Sequence, residues 1–172
     1  YLSEGKFPTA LHYFLPVLAF ALGIALAEYV RAKHTQVLHW RQFAVLIEAL
    51  ILVAVGFFPL TMNLPANALT SFACGIQVES FRKIRGNGIA TTMCIGNMRT
   101  GTQNLFNFFH NRDVEYLKKS FLYYGIIACF VTGAVIGNFL CHYMQEKAIW
   151  CCSVLLFIAF IFMFIDYEKE QL

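Results

Sequence analysis

The sequence predicts an all-α, polytopic transmembrane helical bundle. Three observations predict it: a composition too apolar for water, a set of apolar runs of spanning length, and a lopsided placement of Lys and Arg between those runs. Of the 172 residues, 59% are hydrophobic and 13% charged, and the mean hydropathy is +0.60, far from the mix of an ordinary soluble domain. Eighteen Phe and eight Tyr exceed what the core of so short a chain can hide. A bilayer, by contrast, accepts apolar side chains over the whole circumference of each helix.

Four runs have the length a membrane requires: residues 10 to 30, 43 to 62, 120 to 141 and 148 to 166, each close to the ~20 residues that cross a ~30 Å hydrocarbon layer. A fifth segment, 64 to 81, opens after Pro59 and Pro65 and is apolar but short, with Asn67, Gln77 and Glu79 inside it. Together these give about five spans here and six in a complete molecule.

Orientation follows from the basic residues, because cytoplasmic loops retain positive charge. Arg31, Lys33 and Arg41 sit in the first connection, none sits in the second, and Arg82, Lys83, Arg85, Arg112, Lys118 and Lys119 flank the third. Lys6 and Lys147 fall on the opposite side. The expectation is an external start, a cytoplasmic loop at 31 to 42, one net crossing through 64 to 110, an external turn near 144 to 148 and a cytoplasmic C-terminus, in the cell (inner) membrane.

An internal repeat emerges at a constant offset of 110 residues. Phe20-Ala-Leu-Gly23-Ile-Ala-Leu-Ala27 lies over Phe130-Val-Thr-Gly133-Ala-Val-Ile-Gly137, and Trp40 lies over Trp150. Small residues recur every fourth position in both copies, at Ala19, Gly23 and Ala27 and at Cys129, Gly133 and Gly137, a spacing that lets membrane helices approach closely. The bland alternative is that two apolar helices align by chance, since identities are few. If the repeat is real, residues 1–63 are the remainder of a first copy and 64–172 form the second, and one helical unit is expected upstream of Tyr1. Three crossings per copy is an odd number, so the repeats would be inverted, as in many secondary transporters.

The segment 74 to 107 is too polar for a plain spanning helix and too apolar for a loop. Gly86 and Gly88 can break a helix, and 89 to 109 resumes with Thr91, Thr92, Asn97, Arg99, Thr100, Gln103 and Asn104 among apolar residues. One reading is a discontinuous helix over 64 to 110, whose second half aims free N–H groups at an anion or polar ligand in a buried or wet site. The other is an amphipathic helix on the cytoplasmic membrane surface. Both stay open at this point.

The stretches Gly75-Ile-Gln-Val-Glu-Ser-Phe, Ala90-Thr-Thr-Met-Cys, Gly96-Asn97-Met-Arg99 and Thr102-Gln resemble the second copy of the repeated pattern of the YoaK-like (DUF1275) family, a bacterial group of multi-pass membrane proteins. Ile95 stands where that family's Thr-Gly-Asn triplet begins with Thr. The resemblance covers essentially the whole chain and implies a first Thr-Gly-Asn copy upstream; it supplies no substrate.

Ionisable residues near the centre of a span cost roughly 2.5 to 3.5 kcal/mol on insertion scales. Glu48 is the clearest case, about 10 Å beyond Arg41 along its helix. It could be protonated, pair with Arg99, or sit in a polar contact between helices. Glu79 and Arg82 are i, i+3 neighbours expected to pair on one helix face, with Gln77 beside them. Glu28 and Asp166 are expected to snorkel to the interface, and Asn138 to bond across helices. The six Cys and five His show no metal spacing or catalytic arrangement, so no metal, cofactor or enzymatic activity is expected, and no nucleic-acid motif is present.

Two functions follow. The first is a secondary-transporter-like carrier of a small polar or anionic solute, with Gln77, Glu79, Thr91, Thr92, Asn97, Arg99, Thr100, Asn104 and Glu48 around its site. The second is a non-transporting membrane protein whose Gly-rich faces, at Gly23, Gly133 and Gly137, pack on a partner or on further copies as a homo-oligomer.

Overall fold

The computed structural model describes residues 3, 5–33, 37–84, 86–89 and 93–170. Apart from one small hairpin, it is all-α. Helix α1 (Phe7–Lys33) runs 27 residues, about 40 Å at ~1.5 Å per residue. Pro16 removes one backbone donor within it, and Arg31 and Lys33 occupy its last turn, where cations suit the helix's negative end.

Helix α2 (Val37–Val55) ends at Val55 and not at the expected residue 62. Gly56 follows, Phe57 and Phe58 donate back to the Ala54 and Val55 carbonyls at 3.1 and 3.0 Å, and Pro59 has no N–H with which to continue. After a 3-10 turn at Leu60–Met62 comes α3 (Asn63–Ser80). Its Pro65 falls in the first turn, where a missing donor is tolerated.

The expected discontinuous helix is broken by more than a loop. Strands β1 (Lys83–Ile84) and β2 (Asn87–Gly88) pair antiparallel, Lys83 opposite Gly88. Gly86 adopts φ 77° in the turn between them, a conformation that glycine takes without steric cost. Helix α4 (Cys94–Asn111) therefore starts at Cys94 and not near 89. Thr91 and Thr92, expected near that start, lie outside the described residues. At its far end Arg112 turns left-handed (φ 56°) and donates its N–H to the Phe108 carbonyl. The Asp113 carboxylate then accepts from the Glu115 N–H at 2.9 Å, opening α5 (Val114–Met144) in the manner of an N-cap. A 3-10 turn at Gln145–Ala148 leads to α6 (Ile149–Glu170).

The chain forms two compact units, residues 1–80 with 143–172, and residues 81–142. The expected repeats divide the chain at 63 and 64, a division by internal likeness and not by compactness. In the first unit α3 packs on both α1 and α2, and α6 packs on α2. Gly23 and Gly75 set the α1–α3 crossing: a Cβ on Gly23 would stand 2.2 Å from the Phe72 carbonyl oxygen, and one on Gly75 2.3 Å from that of Phe20. Beside this crossing Ala27, Trp40, Ala44 and Ile76 form a buried cluster. The α2–α6 seam is tied by Gln42 Nε2 donating to the Met163 carbonyl at 3.0 Å and by Trp150 Nε1 donating to the Val53 carbonyl at 3.3 Å. Trp150 lies against Gly56, where a Cβ would collide with the indole.

In the second unit Ser120 Oγ donates to the Gly101 carbonyl at 2.9 Å, and Tyr123 OH to the Gly88 carbonyl at 2.8 Å. These bonds fasten α4 and the hairpin to the first part of α5.

Two helical stretches, Phe7–Lys33 and Val114–Met163, are long and apolar enough to cross a membrane, yet only 11% of the residues in the apolar window of each are buried. The core helix of a water-soluble domain would bury most of that surface. Here Phe14, Val17, Leu22, Phe121, Val135 and Phe139 all stand exposed.

Candidate functional site

The first unit contains a cleft of about 370 Å³ between α2, α3 and α6. Helical spacing explains who lines it. Glu48 and Leu52 are i, i+4 on α2; Thr70, Cys74 and Gln77 are i, i+4, i+7 on α3; Cys152, Leu155 and Leu156 share one side of α6, each set one stripe of its helix.

Glu48 dominates the electrostatics. Its side chain is 3% exposed, and its Oε2 has no hydrogen-bond partner among the described residues. A buried carboxyl without a partner is costly and calls for a proton, a cation or a donor from outside the fold. Around it the inventory is rich in acceptors. The Thr70 hydroxyl donates to the Ala66 carbonyl at 2.9 Å, leaving its lone pairs free, and the half-buried Gln77 amide contributes both a carbonyl and an NH₂ group. Leu52, Ala73, Leu155 and Leu156 supply apolar wall.

Glu79 sits elsewhere. Its Oε1 accepts from Arg31 Nη1 at 3.0 Å, and Arg31 also pairs with Glu28, so the three charges tie the end of α1 to that of α3. Helix α3 ends at Ser80, so Arg82, the residue expected to pair with Glu79, lies just beyond the helix. Glu28, expected at the interface, has 50% of its side chain exposed while it holds Arg31. Because Arg31 and Glu79 are largely shielded, Glu79→Gln is expected to cost about 1–2 kcal/mol. A double-mutant cycle with Arg31→Gln in thermal unfolding should give a coupling of about 1 kcal/mol; additive losses would mean the pair contributes nothing.

The remaining expected site residues belong to the second unit. Asn97 is buried on α4 and Arg99 exposed. Thr100 Oγ1 donates to the Gly96 carbonyl, and Asn104 Nδ2 to the Thr100 carbonyl, at 3.0 and 2.8 Å. The polar groups of Thr100 and Asn104 thus engage their own helix. Asn138, expected to bond across helices, is exposed on α5. Of the expected packing glycines, Gly23 stands at the α1–α3 crossing, whereas a Cβ on Gly133 or Gly137 would meet nothing within 4 Å.

The structure thus brings Glu48 and Gln77 together, and adds Thr70, Cys74 and Cys152, which sequence reasoning left out. The polar spacing Thr70, Cys74, Gln77 was the available signal. Among the described residues no group of three or more His, Cys, Asp or Glu could hold a metal ion.

Comparison with known proteins adds one finding. A family model described as a protein of unknown function, DUF1275, matches residues 1–162. The chain belongs to the DUF1275 family. All the cleft residues of this DUF1275 protein fall inside the matched region. No curated protein and no solved structure matches the chain.

Proposed function

We propose that this DUF1275 protein is a multi-pass protein of the cell (inner) membrane, with five spans in this chain and a cytoplasmic C-terminus, and that it carries a small polar solute without enzymatic chemistry. The spans are α1, α2, α3, α5 and α6, with α1 and α2 related to α5 and α6 by an inverted repeat. The observation that carries this reading is Glu48, a buried carboxyl with an unpartnered oxygen in the wall of a solute-sized cleft between three helices. Intramembrane charges of this kind mark solute and ion pathways. The two long, largely unburied apolar stretches support the membrane placement. Of the two solute classes first considered, polar and anionic, a carboxyl-lined cleft favours the polar one.

A thermal-stability screen of the purified full-length protein against small metabolites and ions, followed by uptake of hits into proteoliposomes, tests the reading. A solute at 100 times its dissociation constant should add about 2.7 kcal/mol to the folded state, and Glu48→Gln should remove both stabilisation and uptake. If nothing binds or enters, the carrier reading is lost. The second reading, a non-transporting protein that packs on a partner, is favoured by one observation, the open faces at Gly133 and Gly137.

A further inference from the structure

The donor and acceptor inventory of the cleft fixes the class of ligand more narrowly than its size does. We propose that the cleft takes a protonated primary amine with a short aliphatic body, its ammonium donating to the free oxygen of Glu48. The inference rests on the reading of the cleft as a solute site and deepens it.

Charge sign comes first. Among the residues that line the cleft Glu48 is the carboxyl, a buried acid that ionises when a cation partners it, and Arg31, the cation at the end of neighbouring α1, is engaged by Glu28 and Glu79. An anionic solute would oppose that ionisation and would itself be desolvated in an apolar setting without a cation. A neutral alcohol offers one donor and brings no charge to partner the carboxylate.

Hydrogen-bond capacity comes second. A primary ammonium carries three donors and no acceptor. The cleft offers it the Glu48 Oε2, which has no partner, the Thr70 hydroxyl oxygen, whose proton is already given to Ala66, and the Gln77 carbonyl. Bonds in which the donor or the acceptor is ionised are the strong class. Shape comes third: beyond these polar groups the walls are Leu52, Ala73, Leu155 and Leu156, which suit an aliphatic body. The volume of about 370 Å³ lies at the lower end of the range for small-molecule sites, roughly 300–1,000 Å³.

The probes are n-butylamine, butyrate and n-butanol, which share one chain and differ in head group. Each is titrated near neutral pH against the purified full-length protein, with the unfolding midpoint as readout, and butylamine uptake is then followed in proteoliposomes. Butylamine is expected to raise the midpoint while butyrate and butanol do not. Glu48→Gln, nearly the same size, should weaken butylamine at least about tenfold, the loss of one charge-assisted bond. Leu155→Trp, placed at an exposed lining position, should also weaken it by filling the cleft while leaving Glu48 in place, which covers the case in which Glu48→Gln fails to fold.

Stabilisation by butyrate, or by all three probes alike, or a butylamine effect unchanged in both variants, overturns the amine assignment. Butylamine binding that depends on Glu48 without uptake upholds the assignment and removes the carrier reading. Uptake of an anion with no amine binding does the reverse.

Discussion

Gly75→Val is expected to lower stability by about 3 kcal/mol, the upper end of the usual cost of overpacking. The reason is geometric. A Cβ at position 75 would stand 2.3 Å from the Phe20 carbonyl oxygen and 3.1 Å from the Ile24 nitrogen, and backbone atoms of a helix cannot move aside as a flexible side-chain tip can. Helix α1 must therefore lift off α3, loosening the neighbouring cluster of Ala27, Trp40, Ala44 and Ile76. Gly23→Ala should act through the same contact from the other side, since its Cβ would meet the Phe72 carbonyl oxygen at 2.2 Å. Once one substitution has separated the helices the second meets less resistance, so the pair should be sub-additive, with a coupling of about 0.5–3 kcal/mol. Thermal unfolding of the purified protein reads all three. Gly133→Ala is the control, expected within about 0.5 kcal/mol of the parent because its surroundings are open. A large loss there would instead show that something covers that face, and would move the balance toward the partner-binding reading.

Glu48→Met is expected to do the opposite, raising stability by about 1–3 kcal/mol while abolishing solute binding. Replacing a buried charge by an apolar side chain of similar volume is often neutral or stabilising, whereas breaking a satisfied buried pair costs about 3–5 kcal/mol. The unpartnered Oε2 puts Glu48 in the first class. The stability it forgoes is the usual signature of a group kept for function. The same unfolding experiment, with and without ligand, checks both halves. A destabilised Glu48→Met protein would mean that the carboxyl is satisfied within the fold, and the cleft would then lose its claim to a solute.

The helices were legible because an apolar run of sufficient length marks a helix without any periodicity, and α1, α3, α5 and α6 follow theirs closely. The end of α2 was not. Phe57, Phe58 and Leu60 prolong the apolar run, while the backbone breaks at Gly56 and Pro59 for reasons that hydropathy does not register. The hairpin at Lys83–Gly88 escaped because strands of two residues carry no pattern, and only Gly86 hinted at a turn. Glu48 was legible as a charge inside an apolar run. Its surroundings were not, since Cys74 and Cys152 read as small apolar residues and are brought together only by the packing of α2, α3 and α6. The Arg31 partner of Glu79 was out of reach for a related reason: a local i, i+3 rule looks only along the helix, and Arg31 comes from 48 positions away.

Helix α5 also works as a depth gauge. Its 31 residues measure about 46 Å at ~1.5 Å each, well over the ~30 Å of hydrocarbon that a bilayer offers. In the proposed five-span arrangement tilt takes up part of the excess, and the rest would project into water from the end that carries Glu115, Lys118 and Lys119. The fastenings of α4 and the hairpin, at Ser120 and Tyr123, sit on α5 only six and nine residues from its start. With α5 spanning the bilayer as proposed, Gly101 and Gly88 would stand at headgroup level. Where a re-entrant element and a surface helix were both open for the polar segment, the short distance along α5 from its charged end to these two hydrogen bonds favours, on the proposed spanning of α5, a surface helix among phosphates and glycerol.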